Sequence, residues 1–339
     1  MIWRVNMKSA YEVECRAKEG KHINTIKEDL EALVDKRLHW TLLTLPILGI
    51  VIFTILPLVF MICMAFTSYS KVGDHLTIFH WVGLKNFSTV LGMGNSIGKT
   101  FWSVLGWTLI WAVLATFLNY ILGMILAIVI NRKTTRIKGF WRFCFMLSAA
   151  IPQFVSLLLM RTMLKDNGLV NNLLIQAGLI SSPLPFLTNA TWARATVVII
   201  NLWVGIPFTM MQVTGILQNI PGELYEAARV DGAGPVTIFF KITLPYMLFV
   251  TTPYLITTFT GNINNFNVIY LLTAGAPVPV GATAGKTDLL VTWLYKLTVD
   301  LQYFNVGAVV GILTFVILAV VSLITYRNTG SYKNEEGFQ

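Results

Sequence analysis

Charge is what this chain has least of. Of its 339 residues only 12% are Asp, Glu, Lys or Arg, while 55% are hydrophobic; an ordinary soluble domain carries about 25% charged residues. So few charges cannot clothe a water-facing surface of this size, and lipid must supply the solvent. Cysteine is nearly missing as well. Cys15, Cys63 and Cys144 share no spacing that implies a disulfide framework or a metal site, and two of them lie in or beside apolar stretches, where they are expected to pack. The four histidines, His22, His39, His75 and His80, fall outside the long apolar runs and form no HExxH pattern. No glycine-rich phosphate loop of the Gly-x4-Gly-Lys-Ser/Thr type occurs, so the chain cannot cradle ATP itself. No Ser/His/Asp or Cys/His arrangement can be placed at membrane depth. Carboxylates are scarce inside the apolar runs, which weighs against a proton- or sodium-driven carrier. Arg161, near the end of the third run, can reach water by snorkelling. These gaps leave no enzyme, no metal and no cofactor to expect, and point to a conduit powered from outside.

What the chain has is long apolar runs. A membrane-spanning helix needs about 20 predominantly apolar residues, and six segments qualify: Thr41–Phe66, Ser103–Ile130, Arg142–Leu164, Trp192–Leu217, Thr243–Thr273 and Phe304–Tyr326. The expected fold is an all-α membrane protein, a polytopic bundle of about six helices. The net charge of +9 does not read as nucleic-acid affinity, because eight of the 25 basic residues precede Trp40 and five more lie between Arg132 and Arg142. Positive-inside clustering of this kind sets topology. It places both termini, the Arg132–Lys138 loop and the loop after the fourth span in the cytoplasm. Three regions follow: a cytoplasmic N-terminal segment (1–40), a transmembrane domain (41–326) with a long cytoplasmic loop (218–245), and a cytoplasmic tail (327–339).

Four polar or mixed segments interrupt this pattern outside the spans. Asn24–Leu38 sets Ile26, Leu30, Leu33, Val34 and Leu38 on one helical face, as an amphipathic helix at the membrane surface, against a partner, or simply solvated. Trp81–Phe87 is a short external segment with an aromatic at each end, and Thr287–Leu297 is an amphipathic external stretch. The cytoplasmic loop is more distinctive. Pro221-Gly222 breaks the preceding helix, and Glu223–Arg229 is a run of good helix formers with acid in its first turn. Gly232 and Gly234-Pro235 then end that helix and turn the chain.

The fifth span is the polar exception within the membrane. Asn262, Asn264, Asn265 and Asn267 sit inside an apolar stretch, and helical spacing sets Thr258, Asn262 and Asn265 on one face. Unpaired amides are costly in lipid, so these residues must face the bundle or a wet cavity. Two roles fit them: binding a neutral, hydroxyl-rich ligand such as a sugar, or interhelical hydrogen bonding worth about 0.6 kcal/mol per pair.

Glu226-Ala227-Ala228, then Gly232 after three residues, then Ile242-Thr243-Leu244-Pro245 after nine more, resembles the cytoplasmic coupling loop of ABC-importer permeases. From about Asn24 to its end the chain resembles the larger permease subunit of a maltose/maltodextrin-type ABC sugar importer. The matching stretches are WVGLKNF, ELYEAARVDGAGP, FFKITLP, NNF and GKTDLLV. The resemblance implies the type I importer permease fold in a bacterial cytoplasmic membrane. It also implies a second permease subunit, two cytoplasmic ATPase subunits and an extracytoplasmic sugar-binding protein as partners, with ATP hydrolysis on the ATPases. By motif position it assigns ATPase coupling to Glu226, Ala227, Ala228, Gly232 and Pro245, with Pro245 at the start of the fifth span. It assigns an oligosaccharide, maltodextrin-like, to a mid-membrane cavity lined by Val204, Gly205, Phe208, Thr258, Asn262 and Asn265. Two positions depart from the maltose pattern. Gly261 replaces a bulky aromatic and Phe208 replaces a tyrosine, so the pocket should be roomier and one hydroxyl poorer. Such permeases often carry extra N-terminal spans, and Met1–Val5 reads either as the remnant of one in a short form or as a late start. The alternatives are a permease for another solute such as glycerol phosphate, whose anionic substrate would demand basic residues that the fifth span lacks, and a carrier working alone.

Overall fold

The structure, a computed structural model, describes residues 11, 14–15, 18–20, 38–72, 75–76, 79–132 and 134–327. The amphipathic helix expected over 24–38 lies outside them but for Leu38, as do Met1–Val5 and residues 328–339. The chain divides into two compact units, Met1–Cys63 and Met64–Gln339. In the first, α1 (Leu38–Ile50) runs through a π turn (Val51–Ile55) into α2 (Leu56–Ala65), which ends in the second unit.

The second unit opens with a two-residue hairpin, β1 (Lys71–Val72) against β2 (His75–Leu76), the one paired sheet among the described residues of this otherwise helical fold. α3 (Lys85–Leu91) follows. Trp81 and Phe87, the two aromatics of the expected external segment, both pack on Phe66, with ring centroids 5.5 and 5.3 Å away. The long helix α4 (Ser96–Asn131) begins at Asn95, whose side chain accepts from the Gly98 N–H at 2.7 Å. Such a cap satisfies a donor that the first turn would leave orphaned. The third apolar run is not one helix. α5 (Lys138–Ala150) and α6 (Gln153–Met163) meet at 83°. The break falls at Ile151-Pro152, with Ile151 extended (φ −76°, ψ 130°), because proline disfavours helical geometry in the residue before it. α7 (Leu169–Gln176) leads to α8 (Ala190–Gln218), capped by Asn189. Then come α9 (Gly222–Val230), α10 (Pro235–Ile238), a π turn (Phe239–Thr243), α11 (Leu244–Ile263), α12 (Phe266–Leu272), α13 (Leu290–Tyr295) and α14 (Phe304–Arg327).

Among the described residues, five helical stretches are long and apolar enough to cross a membrane, and the bent pair α5/α6 would make a sixth. The fifth begins at Pro235, eight residues before the expected Thr243, so Pro245 lies inside a continuous helix and not at its start. A π turn makes this possible. The N–H of Leu244 bonds to Phe239 O, five residues back, which re-phases the ladder where Pro245 has no N–H to give. The same device precedes Pro57, where the Leu56 N–H reaches Val51 O.

Among the described residues, two hydrophobic cores hold the second unit together. One gathers Trp107, Trp111 and Ala115 of α4, Leu157 of α6, Val197 and Ile200 of α8, and Val268, Ile269 and Leu272 of α12. The other joins Tyr120, Met124, Ala127 and Ile130 of α4 to Met210 and Val213 of α8 and Met247 of α11. Cys63 and Cys144 are free and exposed, so the expected packing role is not seen.

Candidate functional site

α4 and α8 run parallel and touch through small residues. A Cβ on Gly205 would come within 2.7 Å of the Asn119 amide, and one on Gly123 within 2.8 Å of the Thr209 side chain. These two matches, one turn apart on both helices, fix the register and set Asn201 level with Ala115. Small residues at such a seam let helices approach closely in lipid.

Where the two cores meet, this seam turns polar. Asn119 and Asn201 are buried, and Asn119 donates to Ala115 O at 2.7 Å. Its Oδ1, and the Nδ2 of Asn201, are buried without a partner among the described residues. The same face of α4 reaches α11. Thr116 Oγ1 accepts from Asn262 Nδ2 at 3.0 Å, Trp111 Nε1 donates to Asn262 O at 3.0 Å, and the Tyr120 and Thr251 hydroxyls pair at 2.7 Å. α4 therefore bridges the two halves of the expected pocket, touching Gly205 through Asn119 and Asn262 through Thr116. Among the described residues, α4 has no charged side chain after Lys99, α8 none after Arg194, and α11 none at all.

The expected single face of Thr258, Asn262 and Asn265 is interrupted. α11 ends at Ile263, and Asn265 is the N-cap of α12, its Oδ1 accepting from the Val268 N–H at 3.2 Å. An Asn that can cap a new helix competes with continuing the old one, which explains the break. Val204, Gly205 and Thr258 are half-buried and Phe208 is 54% exposed. A Cβ at Gly261 would meet nothing within 4 Å. Sequence reasoning passed over Thr116, Asn119, Tyr120 and Asn201. The available signal was a lone asparagine inside each of two apolar runs.

Beyond the break, Phe266 and Tyr270 stack at 4.7 Å and Tyr295 meets both edge-on at 5.2 Å. The hydrogen bond with Tyr270, and then that neighbour's charge, hold the Tyr295 phenol above its ordinary pKa. The expected amphipathic stretch 287–297 is largely buried: Leu289, Leu290, Trp293 and Leu297 have no more than 1% exposure. Its centre is Asp288, which is wholly buried. Asp288 Oδ2 accepts from Lys296 Nζ at 2.6 Å and from the Gly285 N–H at 2.7 Å, and Oδ1 accepts from Thr292 Oγ1 at 2.9 Å.

At the other end of α8, α9 is the short helix expected over 223–229. It carries Glu223 in its first turn and Arg229 in its last, which suits the helix dipole. Gly232 ends it at φ +77°. The Gly232 N–H bonds Arg229 O at 3.0 Å and the Ala233 N–H bonds Ala228 O at 2.9 Å, the pair of bonds that closes a Schellman turn. Glu226 and Ala227 are exposed, and the Tyr225 hydroxyl pairs with Thr243 Oγ1 at 3.2 Å, tying α9 to the π turn below α11.

Residues 119–329 match the family of binding-protein-dependent transport system inner membrane components. The chain belongs to that family. It is a membrane-embedded, multi-span transport subunit. Among relatives, a Bacillus subtilis galactooligosaccharide transport permease is 35% identical, covering 98% of this chain and 80% of the relative. A B. subtilis maltodextrin transport permease is also 35% identical, over 99% of this chain and 79% of the relative. The maltose/maltodextrin permease of Escherichia coli is 35% identical over 73% of this chain, which is 49% of that protein's length. In fold, the permease is similar to a subunit of a bacterial ABC transporter that imports the acidic polysaccharide alginate. The TM-score is 0.67 at 24% identity, covering 88% of this chain and 96% of that one.

Proposed function

We propose that the permease is one half of the channel of an ATP-driven importer for neutral oligosaccharides of the maltodextrin or galactooligosaccharide type. The observation that carries this is the mid-helix seam, where Asn119 Oδ1 and Asn201 Nδ2 are an enclosed acceptor and donor with no partner among the described residues, groups that a sugar would meet when the spans part. Buried polar groups are normally paired, and an uncharged acceptor–donor set suits sugar hydroxyls without burying a charge. The open space at Gly261 and the exposed Phe208 ring support room for a sugar beside that seam, with Val204, Gly205, Thr258 and Asn262 around it. Asn265 contributes by capping the helix that follows.

The basic clusters support cytoplasmic termini and a cytoplasmic α9. A second permease completes the channel, and two ATPase subunits hydrolyse the ATP. Glu226, Ala227 and Ala228 seat α9 in a groove on one of them. Closure of the ATPases would then move α9, and the Tyr225–Thr243 link passes that motion to α11. Uptake of labelled oligosaccharides by the assembled importer tests the pocket. Asn119→Leu with Asn201→Leu should raise the half-saturating sugar concentration by tenfold or more while assembly is retained. Unchanged uptake by this double variant would sink the assignment.

A further inference from the structure

Outside the pocket, a second surface lies where α4 starts. A cleft of about 430 Å³ opens between its first turns and the loop that follows α12, lined among others by Ser96, Lys99, Thr100, Ser103, Pro279 and Lys286. Its ten lining residues include two lysines and no acid. Lys99 stands at the end of α4 where the helix dipole is positive, adding to the local field. Beside the cleft, Val278 is half-exposed and Val280 fully exposed, an apolar knuckle with no described residue over it.

This loop is held in place. The Lys286 N–H bonds Pro277 O at 2.9 Å, Thr287 Oγ1 donates to Ala276 O at 2.8 Å, and Arg194 Nε donates to Lys286 O at 2.9 Å while its guanidinium lies over Trp107 at 4.5 Å. Underneath is the Asp288–Lys296 pair, packed so closely that a Cβ on Gly275 would overlap both side chains, and one on Gly285 would overlap Gly275 O. A rigid cationic cleft beside an exposed apolar knuckle is a preorganised docking surface, which loses little conformational entropy on binding.

We propose that Lys99, Lys286 and the Val278–Val280 knuckle form the surface on which an acidic patch of the extracytoplasmic binding protein lands. The family depends on such a protein by its description, and the charge of the cleft selects an anionic partner face. The inference rests on the importer reading above, which places this end of α4 outside the membrane.

The test uses the assembled importer in lipid nanodiscs, titrated with its purified binding protein and read as stimulated ATP hydrolysis. Lys99→Glu with Lys286→Glu should raise the half-saturating binding-protein concentration on the order of tenfold at low salt. The gap should close at about 1 M salt, where screening acts within ~3 Å, with the saturated rate retained. A photo-crosslinking residue at Val280, in otherwise native protein, should form an adduct with the binding protein. If the wild type is stimulated but the charge reversal leaves half-saturation unchanged, or the Val280 adduct forms with the second permease, the surface is wrong and the importer reading stands. A wild type that the binding protein does not stimulate overturns both.

Discussion

The Asp288–Lys296 pair offers a stability experiment whose outcome depends on its asymmetry. The Asp288 side chain has 0% exposure and the Lys296 side chain 15%. Removing one partner of a buried pair costs about 3–5 kcal/mol, because the other charge is left uncompensated. Lys296→Met strands a carboxylate with no access to water and only Gly285 N–H and Thr292 Oγ1 as donors, so about 4–5 kcal/mol applies. Asp288→Asn strands an ammonium that already reaches solvent and can extend toward it, which puts the loss nearer ~3 kcal/mol. In the double variant both charges are gone, and the coupling between the two sites should recover about 2 kcal/mol. Thermal denaturation of the detergent-solubilised permease, followed by tryptophan fluorescence, reads these losses. At roughly 2–4 °C per kcal/mol for a chain of this size, Lys296→Met should lower Tm by on the order of 10 °C. The reasoning fails if Lys296→Met costs less than Asp288→Asn, or if the two single losses simply add in the double variant.

Three further outcomes follow from the site. Gly205→Ala drives a methyl into the Asn119 amide, 2.7 Å away; it should cost about 1–3 kcal/mol and be relieved by Asn119→Ala in the same thermal assay. Gly232→Asp forces a side chain at φ +77°, a strain of about 1–2 kcal/mol, and should weaken co-purification of the ATPase subunits more than it lowers Tm. Tyr225→Phe removes one hydrogen bond to Thr243, worth about 1 kcal/mol, and should lower sugar transported per ATP hydrolysed while the ATPases still co-purify.

The helices were legible because lipid imposes a simple rule: length and apolarity alone marked the stretches around Ser103–Ile130, Trp192–Leu217 and Phe304–Tyr326. α9 was legible for a different reason, since Pro221, Gly222 and Gly232 mark its ends chemically. Breaks and re-phasings were not. Pro152 bends the third run by 83° while Pro207 sits within a continuous α8, a difference that depends on packing the sequence does not display. The site was half legible. Clustered asparagines drew attention to Asn262, whereas Asn119 and Asn201, single amides on two helices, are brought to one seam only through the register that Gly205 and Gly123 permit. Asp288 was hidden because a loop carboxylate is ordinarily solvated, and only the fold of residues 275–296 shows it enclosed.

Uptake by proteoliposomes tests the central claim most directly. Vesicles would hold the permease with its second permease and ATPase subunits, ATP inside, and binding protein with a labelled neutral oligosaccharide outside. Accumulation should require ATP and binding protein together, and vesicles holding this chain alone should take up nothing. Uptake by the chain alone without ATP would contradict the account.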